Sequence, residues 1–198
     1  LSEFIGPDDR DKCRSVFSDN AGEITAAVKS LKLHCATSTP HIAQTNGCSE
    51  NSVRKVTEGT ACSLEQSGFT HQWWDLAMKC YCFLRNATEI QASGKTPYFM
   101  RYGKDFKGHR IPFGAEVGYL RFTREAKAVR PEHPLGGEQH KGLFVGYVTN
   151  PGGLWAEDYL VIDASNIHHA DAIGNVRILR VPTLMVPKYC TFPLASGS

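Results

Sequence analysis

Two acidic residues give this sequence its clearest candidate chemistry. Asp19 follows a short run of alternating polarity, and Glu50 falls near the start of a later helical segment. Carboxylate oxygens are the ligands that Mg²⁺ prefers, and two such ions about 3.5–4 Å apart can stabilise the attacking and leaving oxygens of a phosphoryl transfer. A pair of carboxylates in these positions can hold a divalent metal, so the two residues are candidate metal ligands, although their spacing alone does not select that role. A turn or capping role for Asp19 and a helix-dipole role for Glu50 are the structural alternatives.

The elements that must position these carboxylates are a strand, a helix, a second strand and a longer helix. Alternating polarity over 13–18 predicts the first strand, and apolar positions at helical spacing predict a helix over 23–32. A second strand is predicted over 33–37. A helix is predicted over 48–66, with Gly68 as its C-terminal cap.

The spacing of apolar side chains predicts which residues share a helix face. One face of the helix over 48–66 is expected to carry Val53, Val56, Thr60 and Leu64. The next helix, over 71–86, is apolar nearly all round and is therefore expected to be largely buried. Trp73 and Trp74 are accordingly assigned to the core, and the stacking of their rings on nucleic-acid bases is the less favoured interpretation.

The composition changes after Ala92, where glycine and proline become frequent. Short β-type runs are predicted at 115–122, 141–148, 158–163 and 175–186. Within residues 95–141, ten basic residues against five acidic ones give a net charge of +5. Cations among aromatic side chains are typical of a surface that contacts a nucleic-acid backbone. A solvated linker, anchored to the core by its aromatic rings, is the alternative.

Whole-chain properties exclude several classes of protein. The 198 residues carry 22 basic and 20 acidic side chains, a net charge of +2, which is too small to indicate a nucleic-acid or membrane partner by itself. Neither an apolar run of membrane-spanning length nor a signal-peptide pattern is present, so we expect a protein that is neither secreted nor membrane-bound. The seven cysteines lack metal-ligand spacing and are expected to be reduced thiols, mostly in the core.

Five groups of residues occur in the order seen in integrases of copia-type LTR retrotransposons, and the chain resembles that family over about residues 1–186. The groups are Ser18–Glu23, Thr39–Glu50, Gly94–Tyr98, Ile111–Gly114 and Lys141–Tyr147.

The resemblance implies a metal-dependent polynucleotidyl transferase that inserts element DNA into a target. Three carboxylates bind two Mg²⁺ or Mn²⁺ ions in that family, and Asp19 and Glu50 match the second and third of them. Gln44 and Asn46 match the family's loop before the helix that bears the third carboxylate, which resembles a mobile flap over the active site, and they are candidate nucleic-acid contacts. Asn46-Gly47 is equally typical of a plain turn. One turn beyond Glu50, Arg54 and the neighbouring Lys55 are candidate phosphate contacts, although Arg54 and Glu50 equally form a possible i,i+4 ion pair.

The resemblance also implies an α/β organisation in three parts. Residues 1–92 would form the C-terminal part of an RNase H-like core with a mixed sheet, 93–114 a basic linker, and 115–190 a small β-rich region. DNA, both the element ends and the target, is the expected partner, with a homo-oligomer as the intact assembly. The expected location is the nucleus or a cytoplasmic retroelement particle.

Two departures from the family pattern predict that this chain alone is inactive. The family's first catalytic Asp lies on an earlier strand, and only 18 residues precede Asp19 here. Thirty residues separate Asp19 from Glu50, fewer than the family usually places there. A non-enzymatic nucleic-acid-binding relic of such an element is the alternative function. A nuclease acting on RNA–DNA hybrids is a third possibility, which the family-like groups after residue 94 disfavour.

Overall fold

A computed structural model describes residues 15–18, 21–37, 47–120, 139–169 and 176–196. The described residues form two compact units. The N-terminal unit contains those up to Lys55 together with 149–155, and the C-terminal unit contains 56–148 and 156–196. Helices, a parallel strand pair and an antiparallel sheet make this an α/β protein, as the sequence predicts at that level.

The N-terminal unit is built around a parallel pair of strands joined by a helix. Strand β1 spans Ser15–Ser18, helix α1 spans Gly22–Ser30, and strand β2 spans His34–Thr37. The strands pair in parallel over their whole length, from Ser15 opposite His34 to Ser18 opposite Thr37. A parallel pair needs a crossover connection, and α1 supplies it. The predicted strand–helix–strand order is therefore confirmed.

Helix α2 is the longest element and spans Gly47–Ser67. Its end at Gly68 is confirmed, because Gly68 has a φ of +74° and its N–H donates to the Leu64 carbonyl at 3.0 Å. The predicted apolar face is buried at Thr60 and Leu64, whereas Val53 is 65% exposed. Helical periodicity gives the direction in which a side chain points but not whether another element covers it, which is why residues that share this face differ in burial.

Helix α3 spans Trp74–Thr88 and follows a 3₁₀ turn at His71–Trp73. Trp73 is buried, but Trp74 is 56% exposed, so the assignment of both rings to the core is wrong for Trp74. Neighbouring helical residues point about 100° apart, because a turn takes 3.6 residues, and here the core receives the Trp73 ring and not the Trp74 ring. The short helix α4, Pro97–Tyr102, starts with Thr96 as its N-cap, whose hydroxyl accepts from the Phe99 N–H.

An antiparallel sheet of five strands dominates the remainder of the C-terminal unit. The strands are β3 (Glu116–Leu120), β4 (Gln139–Thr149), β5 (Trp155–Asp163), β6 (Ile178–Val181) and β7 (Leu184–Met185). Each of the four predicted β-type runs overlaps at least one of them. A 3₁₀ segment, Ala164–His169, follows β5 and contains the His168–His169 pair, and a short helix α5 spans Pro193–Ser196.

The order of these strands shows that the sheet curls. It runs β6-β5-β4-β3-β7, so β6 and β7 lie at opposite edges. Four strand spacings in a flat sheet would separate the two edges by about 19 Å. Val181 and Leu184 are joined by three peptide steps, which reach at most about 11 Å. The two edges must therefore approach each other where β6 leads into β7.

Aromatic rings form much of the core beside this sheet. Tyr147 of β4 stacks on Phe83 of α3, with ring centroids 4.3 Å apart, and meets Phe106 edge-on at 5.5 Å. Tyr98 of α4 packs against Phe83 and Phe106 at 6.0 and 5.8 Å. The described part of 93–114 therefore contributes ring packing to the C-terminal unit.

The cysteines that the structure describes are free thiols in varied surroundings. Cys80 is buried, Cys35 and Cys82 are half-buried, and Cys62 and Cys190 are exposed. The expectation that cysteines lie mostly in the core is thus wrong for this set, since free thiols tolerate exposure in the absence of a reactive environment. Among the described helices, none combines the length and apolar character that crossing a bilayer requires.

Candidate functional site

The first predicted carboxylate, Asp19, follows the first strand of the parallel pair in the sequence. β1 and β2 end together, because Ser18 lies opposite Thr37 in the register. Asp19 is the next residue in sequence after Ser18 and itself lies outside the described residues. In sheets with parallel strands, ligands bind beyond the carboxyl ends of the strands. The sequence position of Asp19 follows that end of β1.

The second predicted carboxylate, Glu50, lies in the first turn of α2 and is exposed. The partial positive charge at a helix N-terminus favours an ionised carboxylate there. Its exposed position leaves it open to a structural role at the helix start or to a role as a metal ligand. The separation between the Asp19 and Glu50 carboxyl groups remains a prediction.

The candidate phosphate contacts on α2 have exposed side chains. Arg54 donates from its guanidinium to the Asn51 side-chain oxygen at 3.0 Å, one turn earlier on the helix. Lys55 is exposed beside it. Gln44 and Asn46, the candidates from the preceding loop, lie outside the described residues. The structure therefore brings Glu50, Arg54 and Lys55 together on one helix, and the roles of all five residues stay predictions.

A metal centre built from described residues alone is not found. No group of three or more His, Cys, Asp or Glu side chains within the described ranges is arranged to hold a metal ion. Because Asp19 is outside those ranges, this result concerns other clusters and not the predicted pair.

The aromatic residues of the basic segment 95–141 are largely committed to packing. Tyr98, Phe106, Phe113 and Tyr119 are buried, so these rings are unavailable for stacking on bases. Lys141 forms an ion pair with Glu116 at 2.8 Å across β3 and β4. The expected array of interleaved aromatic and basic contacts therefore loses these four rings. Phe99 and Tyr102 are half-buried, and exposed cations of the segment are available for contacts.

One group of those cations occupies a short loop that we call the basic loop, Lys107–Arg110. Lys107, His109 and Arg110 are exposed, whereas Phe106 and Ile111 on either side are buried. The basic loop is thus a four-residue surface loop between two buried residues.

Two tyrosine hydroxyls hold the backbone of the basic loop. The Tyr147 hydroxyl accepts from the Ile111 N–H at 3.0 Å and donates to the His109 carbonyl at 2.8 Å. The Tyr159 hydroxyl accepts from the His109 N–H at 3.0 Å. Sequence reasoning missed this arrangement, because the two tyrosines lie on β4 and β5, far along the chain. The one local indication of the loop in the sequence is a basic stretch between two apolar residues, Phe106 and Ile111.

Burial makes both tyrosines poor acids. Desolvation raises the pKa of Tyr147 well above its ordinary value, and its bond to the Ile111 backbone and the Arg110 charge oppose that rise only in part. Desolvation also raises the pKa of Tyr159, against its hydrogen bond to the His109 backbone. Both hydroxyls therefore keep their protons at neutral pH, which the donation from Tyr147 to the His109 carbonyl requires.

A second polar cluster joins β3, the end of β5 and the 3₁₀ segment. The Tyr119 hydroxyl donates to one Asp163 carboxylate oxygen at 2.7 Å. The Ser165 N–H and hydroxyl donate to the other oxygen at 2.9 and 2.6 Å. Asp163 is buried, and these three donors compensate for its lost hydration at the start of the 3₁₀ segment.

No protein-family model matches this chain. The structure by itself defines the class, an α/β protein with a parallel strand–helix–strand unit and a curled antiparallel sheet. The assignment of a protein family and a function depends on the sequence motifs.

Proposed function

We propose that this chain is part of a retrotransposon integrase, a metal-dependent polynucleotidyl transferase that joins element DNA to a target. The observation that carries the proposal is the ordered set of five family-like residue groups, which includes both candidate carboxylates. In this proposal the N-terminal unit belongs to an RNase H-like core, and the β-rich region follows it. The intact assembly is a homo-oligomer that works on DNA in the nucleus or in a retroelement particle.

The strand and helix positions are compatible with the proposed metal ligands. Asp19 follows β1 in sequence at the end where β1 and β2 stop together. Glu50 is exposed on the first turn of α2, where a carboxylate is accessible to an ion. Oxygen donors of this type suit Mg²⁺ and Mn²⁺, which when bound would stabilise charge on the reacting phosphate.

The neighbouring residues have proposed roles in holding DNA. Arg54 and Lys55 supply exposed positive charge one turn beyond Glu50, where they would contact backbone phosphates. Gln44 and Asn46 would contact DNA from the loop that precedes α2. These contacts position the strand and do not select its sequence.

Mn²⁺ binding tests the proposal directly. Free Mn²⁺ is measured by electron paramagnetic resonance while the full chain is titrated with the ion. Wild type is expected to bind weakly. Asp19→Asn and Glu50→Gln should each lower the affinity for Mn²⁺ at least about tenfold. The loss of a residue that only supports a metal ligand already costs roughly that much, and these two residues are the proposed ligands themselves. Glu65→Gln is the matched control, because Glu65 is an exposed carboxylate about four turns further along α2.

Equal Mn²⁺ affinity in all four proteins would contradict the proposed site. DNA binding that persists with no Mn²⁺ binding at Asp19 and Glu50 would instead favour the non-enzymatic nucleic-acid-binding alternative. Metal-dependent strand transfer that Asp19→Asn abolishes would establish that the chain is active by itself, contrary to the expected inactivity.

A further inference from the structure

We infer that the basic loop, Lys107–Arg110, is a preorganised binding element for the phosphodiester backbone of a nucleic acid. The inference concerns the C-terminal unit and does not require the metal site. It extends the proposed function by naming a second surface that would bind DNA. The residues of this surface lie far from Asp19 and Glu50 in the sequence.

The positive charges of the basic loop are available to a ligand. Lys107 and Arg110 are exposed and take part in none of the ion pairs found between described side chains. By contrast, Lys79, Lys141 and Arg180 each face a carboxylate. Cations without a protein counter-charge are those that gain most from a phosphate.

Hydrogen bonds hold the backbone of the basic loop in place. The peptide groups on both sides of Arg110 bond to one hydroxyl, since Tyr147 donates to the His109 carbonyl and accepts from the Ile111 N–H. The Tyr147 ring is itself fixed by stacking on Phe83. A loop that is ordered before binding loses less conformational entropy when the ligand arrives.

The composition of the basic loop favours a nucleic acid over a membrane as its partner. The apolar side chains on either side of the loop, Phe106 and Ile111, are buried, and the loop itself contains only Lys, Gly, His and Arg. Peripheral membrane binding generally combines charge with apolar insertion, which this loop lacks. Separate cations on a fixed backbone instead suit successive phosphates of a nucleic-acid strand, and they would read the backbone and not the bases.

The test is the binding of the full chain to a fluorescently labelled DNA duplex of about 30 base pairs, followed by anisotropy over a series of salt concentrations. Lys107→Gln with Arg110→Gln should lower affinity by roughly one to two orders of magnitude near 0.1 M salt. The same pair should reduce the log–log salt slope by about 2, which is close to one unit per lost phosphate contact.

The matched control removes two other exposed cations of the C-terminal unit, by Lys79→Gln with Lys188→Gln. Its affinity and salt slope should stay near those of wild type. An equal loss in both double variants would overturn the inference in favour of whole-chain charge. An unchanged affinity in the loop variant would overturn it as well.

Tyr147 is a positioning residue in this account. Tyr147→Phe keeps the stacked ring and all cations but removes the hydroxyl that holds the loop. DNA affinity should fall about three- to tenfold with an unchanged salt slope, because the entropy cost of binding rises while the number of phosphate contacts stays the same. Unchanged affinity in this variant, with the fold checked by circular dichroism, would refute preorganisation.

Two further results separate the inference from its rivals. Tighter binding to phosphatidylserine vesicles than to the duplex would overturn the nucleic-acid assignment. Mn²⁺ binding should be unaffected by the loop substitutions, because the basic loop contains none of the proposed metal ligands. The failure of the metal site and the failure of the basic loop are therefore distinguishable.

Discussion

The two units differ sharply in how much apolar surface they enclose. Within the described part of the N-terminal unit up to Lys55, Val28 is the buried apolar side chain, while Phe17 of β1 is 52% exposed. The C-terminal unit encloses large rings and branched side chains, including Phe144 and Ile162, which are fully buried. The proposed metal ligands thus belong to the sparsely packed unit, and the basic loop belongs to the densely packed one.

This contrast has a physical consequence for function. A two-stranded sheet is at best marginally stable by itself, and parallel strands are ordinarily covered on both faces. Precise placement of Asp19 and Glu50 therefore calls for partners that cover β1 and β2. The basic loop needs none, because its hydrogen bonds and ring contacts are supplied within its own unit.

The largest expected difference comes from removing one aromatic ring from each unit. Phe144→Ala should lower the free energy of unfolding by about 3–5 kcal/mol, as for other buried Phe residues. Phe17→Ala should cost less than about 1 kcal/mol, because its ring is half exposed. Urea unfolding measures both changes, and similar losses would contradict the contrast between the units.

The next effect concerns the buried carboxylate of the C-terminal unit. Tyr119→Phe deletes the donor to Asp163 while keeping the ring, and it should cost about 1.5–3 kcal/mol, since hydrogen bonds to charged groups are stronger than neutral ones. Ser165→Ala removes a donor from a less buried site on the same carboxylate and should cost less. The reverse ranking in urea unfolding would show that the Tyr119 bond is not a principal support of the curled sheet.

Two glycines test close packing at the end of α2. Gly68 and Gly94 both have a φ of +74°. Replacement by Ala at either position should cost about 1–2 kcal/mol for the left-handed conformation. Gly68→Ala should cost more, because its Cβ would lie 2.5 Å from the Ala195 nitrogen, whereas Gly94 has open space. Equal destabilisation would argue against close packing of α5 at this cap.

The smallest expected effect is a change in alkaline stability. The raised pKa of Tyr147 keeps the hydroxyl protonated in the folded state, while the unfolded chain releases that proton near pH 10. Stability should be fully retained below about pH 10 and should fall as pH rises further, by at most about 1.4 kcal/mol per pH unit for this group. Tyr147→Phe should be less stable at neutral pH but should show a shallower alkaline decline. An identical slope would mean that Tyr147 ionises equally easily in both states.

Local patterns in the sequence were sufficient for most elements. The strand–helix–strand order before residue 38, the end of α2 at Gly68 and the four β-type runs depend on spacing and turn chemistry, which are local. The exposure of Val53 and Trp74 depends on which elements cover them, and that information is not local. The hydroxyl bonds of Tyr147 and Tyr159 join residues 36 to 50 positions apart, so no periodicity could reveal them. For the metal site, the sequence supplies two carboxylates and their order, and their distance depends on folding.

The central claim is that Asp19 and Glu50 share a divalent ion, and anomalous diffraction from crystals soaked in Mn²⁺ tests it most directly. The account predicts an anomalous peak bound by both carboxylates, whose carboxyl groups lie roughly 4–8 Å apart. It also predicts that the peak is lost in Glu50→Gln. Carboxylates that point into separate regions of solvent, with no manganese between them, would contradict it.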